Sequence, residues 1–216
     1  LSAKFSENIL DATNAFAEIV TDESLLAGLP DYARDAAREA AEKAGVEGWK
    51  FTLHAPSYGP LMQYAENREL RARMYRAYAT RAAEIDNGYS KPEWDNGPLI
   101  KRLLELKAEE ATMLGFNNYA EVSLYTKMAD TPAQVLDFLR DMAKKAKPFA
   151  EKDIAELKAF AHDELRLTDF QPWDAAYASE KLMQARYAFS EQEVKQYFTE
   201  PKVIAGLFQV IESLFT

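Results

Sequence analysis

With 216 residues, 48% of them apolar and 12% aromatic, the chain is long enough for one large domain or two small ones. A packed core covering roughly 70% of its unfolded surface is within reach, which argues against disorder. A net charge of −9 argues against nucleic acid or an anionic membrane as partner, since both reward clustered Lys and Arg. Cysteine is absent, so disulfides, thiolate nucleophiles and Cys-based zinc sites are excluded. With no apolar run of the ~20 residues a bilayer needs, and no basic-then-apolar leader at LSAKFSENIL, a reducing cytoplasm is the expected compartment.

Ile9, Leu10, Phe16, Ile19 and Val20 predict a first amphipathic helix that GLP at 28–30 breaks. A polar, Ala-rich helix is expected from about Pro30 to Ala44. Gly45 and Gly48 frame WKFTLHAP, whose bulky residues before Pro56 make the best strand. SYGPLMQYA reads as a short helix, and Asn67 caps the next, with Leu70, Met74, Tyr75 and Tyr78 inward. Two Gly, two Pro and two Asn fall in 86–98, DNGYSKPEWDNGP, which reads as a loop or hinge. Pro98 opens a helix that Gly115 closes, and Thr131-Pro-Ala-Gln134 is a capping box before a helix carrying Val135, Leu139, Met142, Ala146, Phe149, Ile154, Leu157 and Leu165. Pro148 should kink or divide that helix. Ser190-x-x-Glu193 repeats the capping box, and Pro201 starts a last helix. The expected fold is mainly α, multi-helical, with at most one short strand or hairpin near 49–54. Residues 1–85 form one helical segment, 86–98 a loop or hinge, and 99–216 a second helical segment. Leu rather than Met at the start, and the apolar pattern VIAGLFQVIESLFT at the end, suggest an internal piece of a longer protein.

Chemistry is scarce. His54 and His162 are the two histidines, Phe51 and Ala159 stand three before them, and H-E-x-x-H is absent. There is no G-x-S-x-G elbow and no phosphate-cradling glycine loop. Arg68, Arg71, Arg73, Arg76 and Arg81 share one helix that could bind an anion, but the plainer reading is a solvated face paired with Glu66, Glu69 and Glu84. The residues alone therefore give no catalytic and no metal-ligating position.

The most specific stretch is QPWDAAYASEKLMQARY, 171–187, where Trp173, Tyr177, Glu180 and Gln184 share one helix face and Asp174 sits in the first turn. It resembles the Trp-Asp-x-x-Tyr-Tyr segment of the thimet oligopeptidase family of zinc metallopeptidases. FSENILDATNAF, LHAPSYGPLMQYAENRELRARMYRAYATRA, WDNGPLIKRLLELKAEEATMLGFNNYAE, TKMADTPAQVLDFLRDMAKKAKP and GLFQVIESLF resemble that family in the same order. Ala178 departs from it, standing where the family usually has a second Tyr.

The resemblance implies a longer parent of two mainly helical lobes around a deep channel, hydrolysing short peptides with zinc. The family's H-E-x-x-H and its glutamate ligand are expected C-terminal to these 216 residues, so no catalytic or metal residue carries over. This piece would be inactive scaffold and channel wall, joined to the rest of its own chain, with Tyr177 the candidate channel-lining residue and Trp173 a scaffold residue. The rival readings are a self-sufficient helical interaction module and a family member without a metal site.

Overall fold

The structure is a computed structural model that describes residues 1–84, 88–188 and 191–215. Among these, ten α-helices and one pair of short strands are seen. The helices are α1 Ser2–Ala15, α2 Asp31–Lys43, α3 Ala55–Tyr64, α4 Arg68–Ala79, α5 Gly97–Met113, α6 Tyr119–Leu124, α7 Pro132–Asp163, α8 Ala175–Tyr187, α9 Glu191–Lys195 and α10 Glu200–Phe215. The mainly-α expectation holds, and helix starts follow side-chain chemistry. Asn67 Oδ1 accepts from Leu70 N at 2.8 Å, Asn118 Oδ1 from Glu121 N at 3.1 Å and Thr131 Oγ1 from Gln134 N at 3.2 Å. Gln134 returns its own bond to Asp130 N at 2.8 Å, one residue before the expected Thr131 amide. The second capping box begins at Ser190, which lies outside the described residues, as do 86–87 of the loop 86–98.

The expected strand is β2, Trp49–Phe51. Its partner was unforeseen: Ile19 and Val20, read as helical, belong to β1, Glu18–Val20, because α1 stops at Ala15. The strands are antiparallel, with Ile19 opposite Lys50 and Val20 opposite Trp49. Gly48, at φ +97°, lets the chain turn here; a Cβ would lie 2.2 Å from the Val20 carbonyl oxygen. The main core gathers Phe16, Val20, Leu26, Phe51, Leu53, Leu61, Leu70 and Met74 between α2, α3, α4 and the strands. A smaller cluster joins Leu157 and Ala161 of α7 to Ala178 of α8.

Further expectations are corrected. Tyr78 is 39% exposed rather than inward, and Leu10 of α1 is exposed, the buried positions of that helix being Asn8, Ala12 and Thr13. Pro148 does not divide α7, which runs unbroken for 32 residues; proline deletes one hydrogen bond, and the other turns hold. The α7 stripe is largely uncovered, with Leu139, Met142, Phe149 and Ile154 all exposed, as are Val203, Ile204, Leu207, Phe208 and Ile211 of α10. Within the stretch 86–98, Asn96 is buried, donates to the Phe5 carbonyl at 3.0 Å and accepts from Asn8 at 2.9 Å.

Candidate functional site

Residues 171–187 begin with one 3-10 turn, Pro172–Asp174, which leads directly into α8. Asp174 closes that turn by accepting from Gln171 N at 3.0 Å, the local role its position suggested. Its larger role is non-local. Asp174 is 0% exposed and faces α4, where Arg68 Nε and Nη2 donate to its two oxygens at 3.0 and 2.7 Å and Arg71 Nη2 donates to Oδ1 at 2.9 Å. Arg71 is itself 1% exposed, and its remaining bonds go to the carbonyls of Ala65 (2.6 Å), Glu66 (3.2 Å) and Trp173 (3.2 Å). A buried cation is tolerable only when paired and hydrogen-bonded, and this one is both. Arg68 also donates to the Asp169 carbonyl.

Electrostatics follow from this geometry. Burial alone would raise the Asp174 carboxyl, but the hydrogen bonds from Arg68, Gln171 N and Arg71 outweigh it and hold the group below its ordinary value. Burial pulls the Arg71 guanidinium down, opposed by Asp174, whereas hydrogen bonding to Asp174 raises Arg68. Tyr177 lies against the same cation, its ring centre 4.2 Å from Arg71 Cζ, and burial raises its phenol. One turn on, Glu180 is 3% exposed and accepts from Gln63 of α3 at 2.8 Å and from Gln184 at 2.7 Å. The arrangement clamps α8 onto α3 and α4.

The reading of Arg68, Arg71, Arg73, Arg76 and Arg81 as a solvated face paired with Glu66, Glu69 and Glu84 is corrected for Arg68 and Arg71, whereas Arg73 and Arg76 are exposed. Arg68 and Arg71 serve Asp174, Arg73 pairs with Glu18 at 2.6 Å, and Arg81 donates to Thr13 Oγ1 at 2.9 Å. The sequence carried only a partial hint. Positions three and four from Asp174 hold Phe170, Gln171, Tyr177 and Ala178, and those around Arg71 hold Asn67, Arg68, Met74 and Tyr75. Neither charge has an opposite charge three or four residues away on its own helix, which hints at a partner elsewhere, although Arg76 shares that pattern and stays exposed.

His54 Nε2 lies 3.1 Å from Asn14 Oδ1, and His162 Nδ1 lies 2.7 Å from Asp163 Oδ1 on an exposed surface. Among the described residues no three His, Cys, Asp or Glu side chains are grouped so as to hold a metal ion, so the side chains present do not fit a zinc site.

Fold and cluster together define a mainly helical segment in which a buried carboxylate, Asp174, ties α8 to α4. Comparison with known proteins carries this further. Residues 61–216 match the family model described as Peptidase family M3, and the chain belongs to that family. It is 48% identical to oligopeptidase A of Haemophilus influenzae (strain ATCC 51907 / DSM 11121 / KW20 / Rd) over 215 residues, which cover 100% of this chain and 31% of the relative. It is 47% identical to oligopeptidase A of Escherichia coli (strain K12), again with 100% and 31% covered. Organellar oligopeptidase A of Arabidopsis thaliana is 41% identical over 226 residues, covering 100% of the chain and 27% of the relative. The chain thus spans about a third of the length of these relatives. Ala178, the departure noted in the motif, is wholly buried in the cluster with Leu157 and Ala161.

Proposed function

We propose that this chain is scaffold and channel wall of a zinc-dependent oligopeptidase that hydrolyses short peptides, and that the 216 residues alone are inactive. The observation that carries the reading is the 48% identity to an oligopeptidase A, sustained along the whole chain. In this reading zinc is held by residues of the parent outside these 216. What this chain contributes is rigidity: the Asp174 clamp fixes α8 against α3 and α4, so that a wall bearing Tyr177 keeps its shape. The exposed apolar stripes of α7 and α10 support it, since contiguous apolar surface of this kind marks an interface; here the rest of the same polypeptide covers it. Trp173 and Tyr177 act by position and contact, without touching the scissile bond, and the parent works in the cytoplasm.

The full-length protein is assayed with an internally quenched short peptide before and after chelation. Cleavage that stops on chelation and returns with zinc is expected, with a folded protein substrate left intact. Cleavage indifferent to chelation, or none at all, overturns the reading.

A further inference from the structure

Beside the clamp lies a surface of different character. Tyr58 of α3 stacks on Tyr78 of α4, ring centres 4.3 Å apart and planes 18° from parallel. One turn back, Tyr75 meets Trp173 at 6.1 Å. Tyr58, Tyr75 and Trp173 are half-buried, anchored on the main core by one side and open on the other. Rings held in this way present large area with little entropy left to lose on binding. Burial, helped by the Tyr78 and Tyr75 phenols and opposed by Arg81, raises the Tyr58 hydroxyl to about 12, so it remains a hydrogen-bond donor at neutral pH.

Two arginines border the rings. Arg81 is committed: its Cζ lies 3.7 Å from the Tyr78 ring centre, and its nitrogens donate to the Tyr78 carbonyl and Thr13. Arg76 is not. It is exposed, with Cζ 5.8 Å from the Trp173 ring centre. Arg68, Arg71 and Arg73 of the same helix each pair with a carboxylate, while among the described residues none lies within ion-pair reach of Arg76. The positions three and four away hold Ala72, Arg73, Ala79 and Thr80, none acidic. At that distance the indole attracts the cation without using its N–H groups, which stay available to a carboxylate.

We propose that Tyr58, Tyr75, Tyr78 and Trp173 form a shelf for an extended peptide, whose C-terminal carboxylate is taken by Arg76. The proposal rests on the peptidase reading above. Charge complementarity selects the occupant. The stripes of α7 and α10 are apolar and suit burial by protein, whereas the shelf combines aromatic area with an uncommitted cation. Every unmodified short peptide carries one α-carboxylate, so this anion is available whatever the sequence.

The test uses the full-length protein and two peptides of one sequence, one a free acid and one a C-terminal amide. A charge-assisted hydrogen bond is worth roughly a factor of ten, so KM for the acid is expected to be about tenfold below that for the amide. In Arg76→Gln that ratio falls to about one, and Arg76→Lys restores part of it. Equal KM values in the unmodified protein overturn the proposal. So does an Arg76→Gln effect equal on both peptides, or a lowered melting temperature with the ratio intact, which would make Arg76 an internal contact. If neither peptide is cleaved, the peptidase reading fails separately, and calorimetric Kd values for the same pair decide the shelf by the same ratio.

Discussion

Replacing Asp174 with Asn keeps the shape of the side chain and removes its charge, so the result reports electrostatics without a cavity. Arg71, 1% exposed, is then left as a buried cation without a counter-ion; breaking such a pair typically costs 3–5 kcal/mol. Its bonds to the carbonyls of Ala65, Glu66 and Trp173 survive, and the Asn oxygen still accepts one bond, which places the cost at the low end, about 3 kcal/mol. Arg68, with 36% of its side chain exposed, turns to water and adds little. Equilibrium urea unfolding of the chain reads the loss directly. In an Arg71→Met background the buried cation is gone, and Asp174→Asn should cost less than about 1 kcal/mol, leaving a coupling energy of about 2 kcal/mol. A loss below about 1 kcal/mol in the original background, or the same loss in both, would refute the claim that Asp174 neutralises Arg71.

The same clamp has a pH signature. Because the folded carboxyl of Asp174 lies below its ordinary value, its stabilisation is fully present above the unfolded pKa of about 3.9 and fades as pH falls through the folded value. The stability gap between wild type and Asp174→Asn should be flat from pH 7 to about 5 and close below about 4; a gap that widens in acid contradicts the assignment. Trp173→Ala, for which full burial would predict 3–5 kcal/mol, should cost about 2–3 because the ring is only half-buried, with kcat of the full-length protein little changed. An intact melting temperature with kcat abolished would make this helix part of the active site. Gly48→Ala forces a Cβ to 2.2 Å from the Val20 carbonyl at positive φ and should cost at least about 2 kcal/mol in thermal unfolding; a neutral result would show that β1 and β2 do not close as described. Pro148→Ala, inside an unbroken helix, should stabilise by about 1–3 kcal/mol in urea, and a destabilised variant would indicate that the ring serves a fit elsewhere.

Local rules carried well into this structure wherever the deciding partner lay within one turn. Asn67 and Thr131 cap because their oxygens reach amides three residues on, and β2 forms where bulky residues precede Pro56. The errors share a distance. Ile19 continued a helical period, yet its environment is set by Lys50, across a connection that contains α2. Five arginines at helical spacing resembled a wet face, and only Asp174, 103 residues from Arg71, shows that one of them lies in the interior. Leu139 and Phe149 follow a core period but are exposed here; periodicity reports that a face seeks cover, and what covers it is written in other residues. Tyr177 was legible as a helix-face aromatic, whereas its stacking on Arg71 was not.

Elemental analysis after exhaustive dialysis tests the central claim most directly, comparing the full-length protein with the 216-residue chain. The account predicts stoichiometric zinc in the longer protein and none in the shorter, whose two histidines lie beside Asn14 and Asp163 rather than with each other. Stoichiometric zinc retained by the 216 residues, or its absence from the full-length protein, would contradict it.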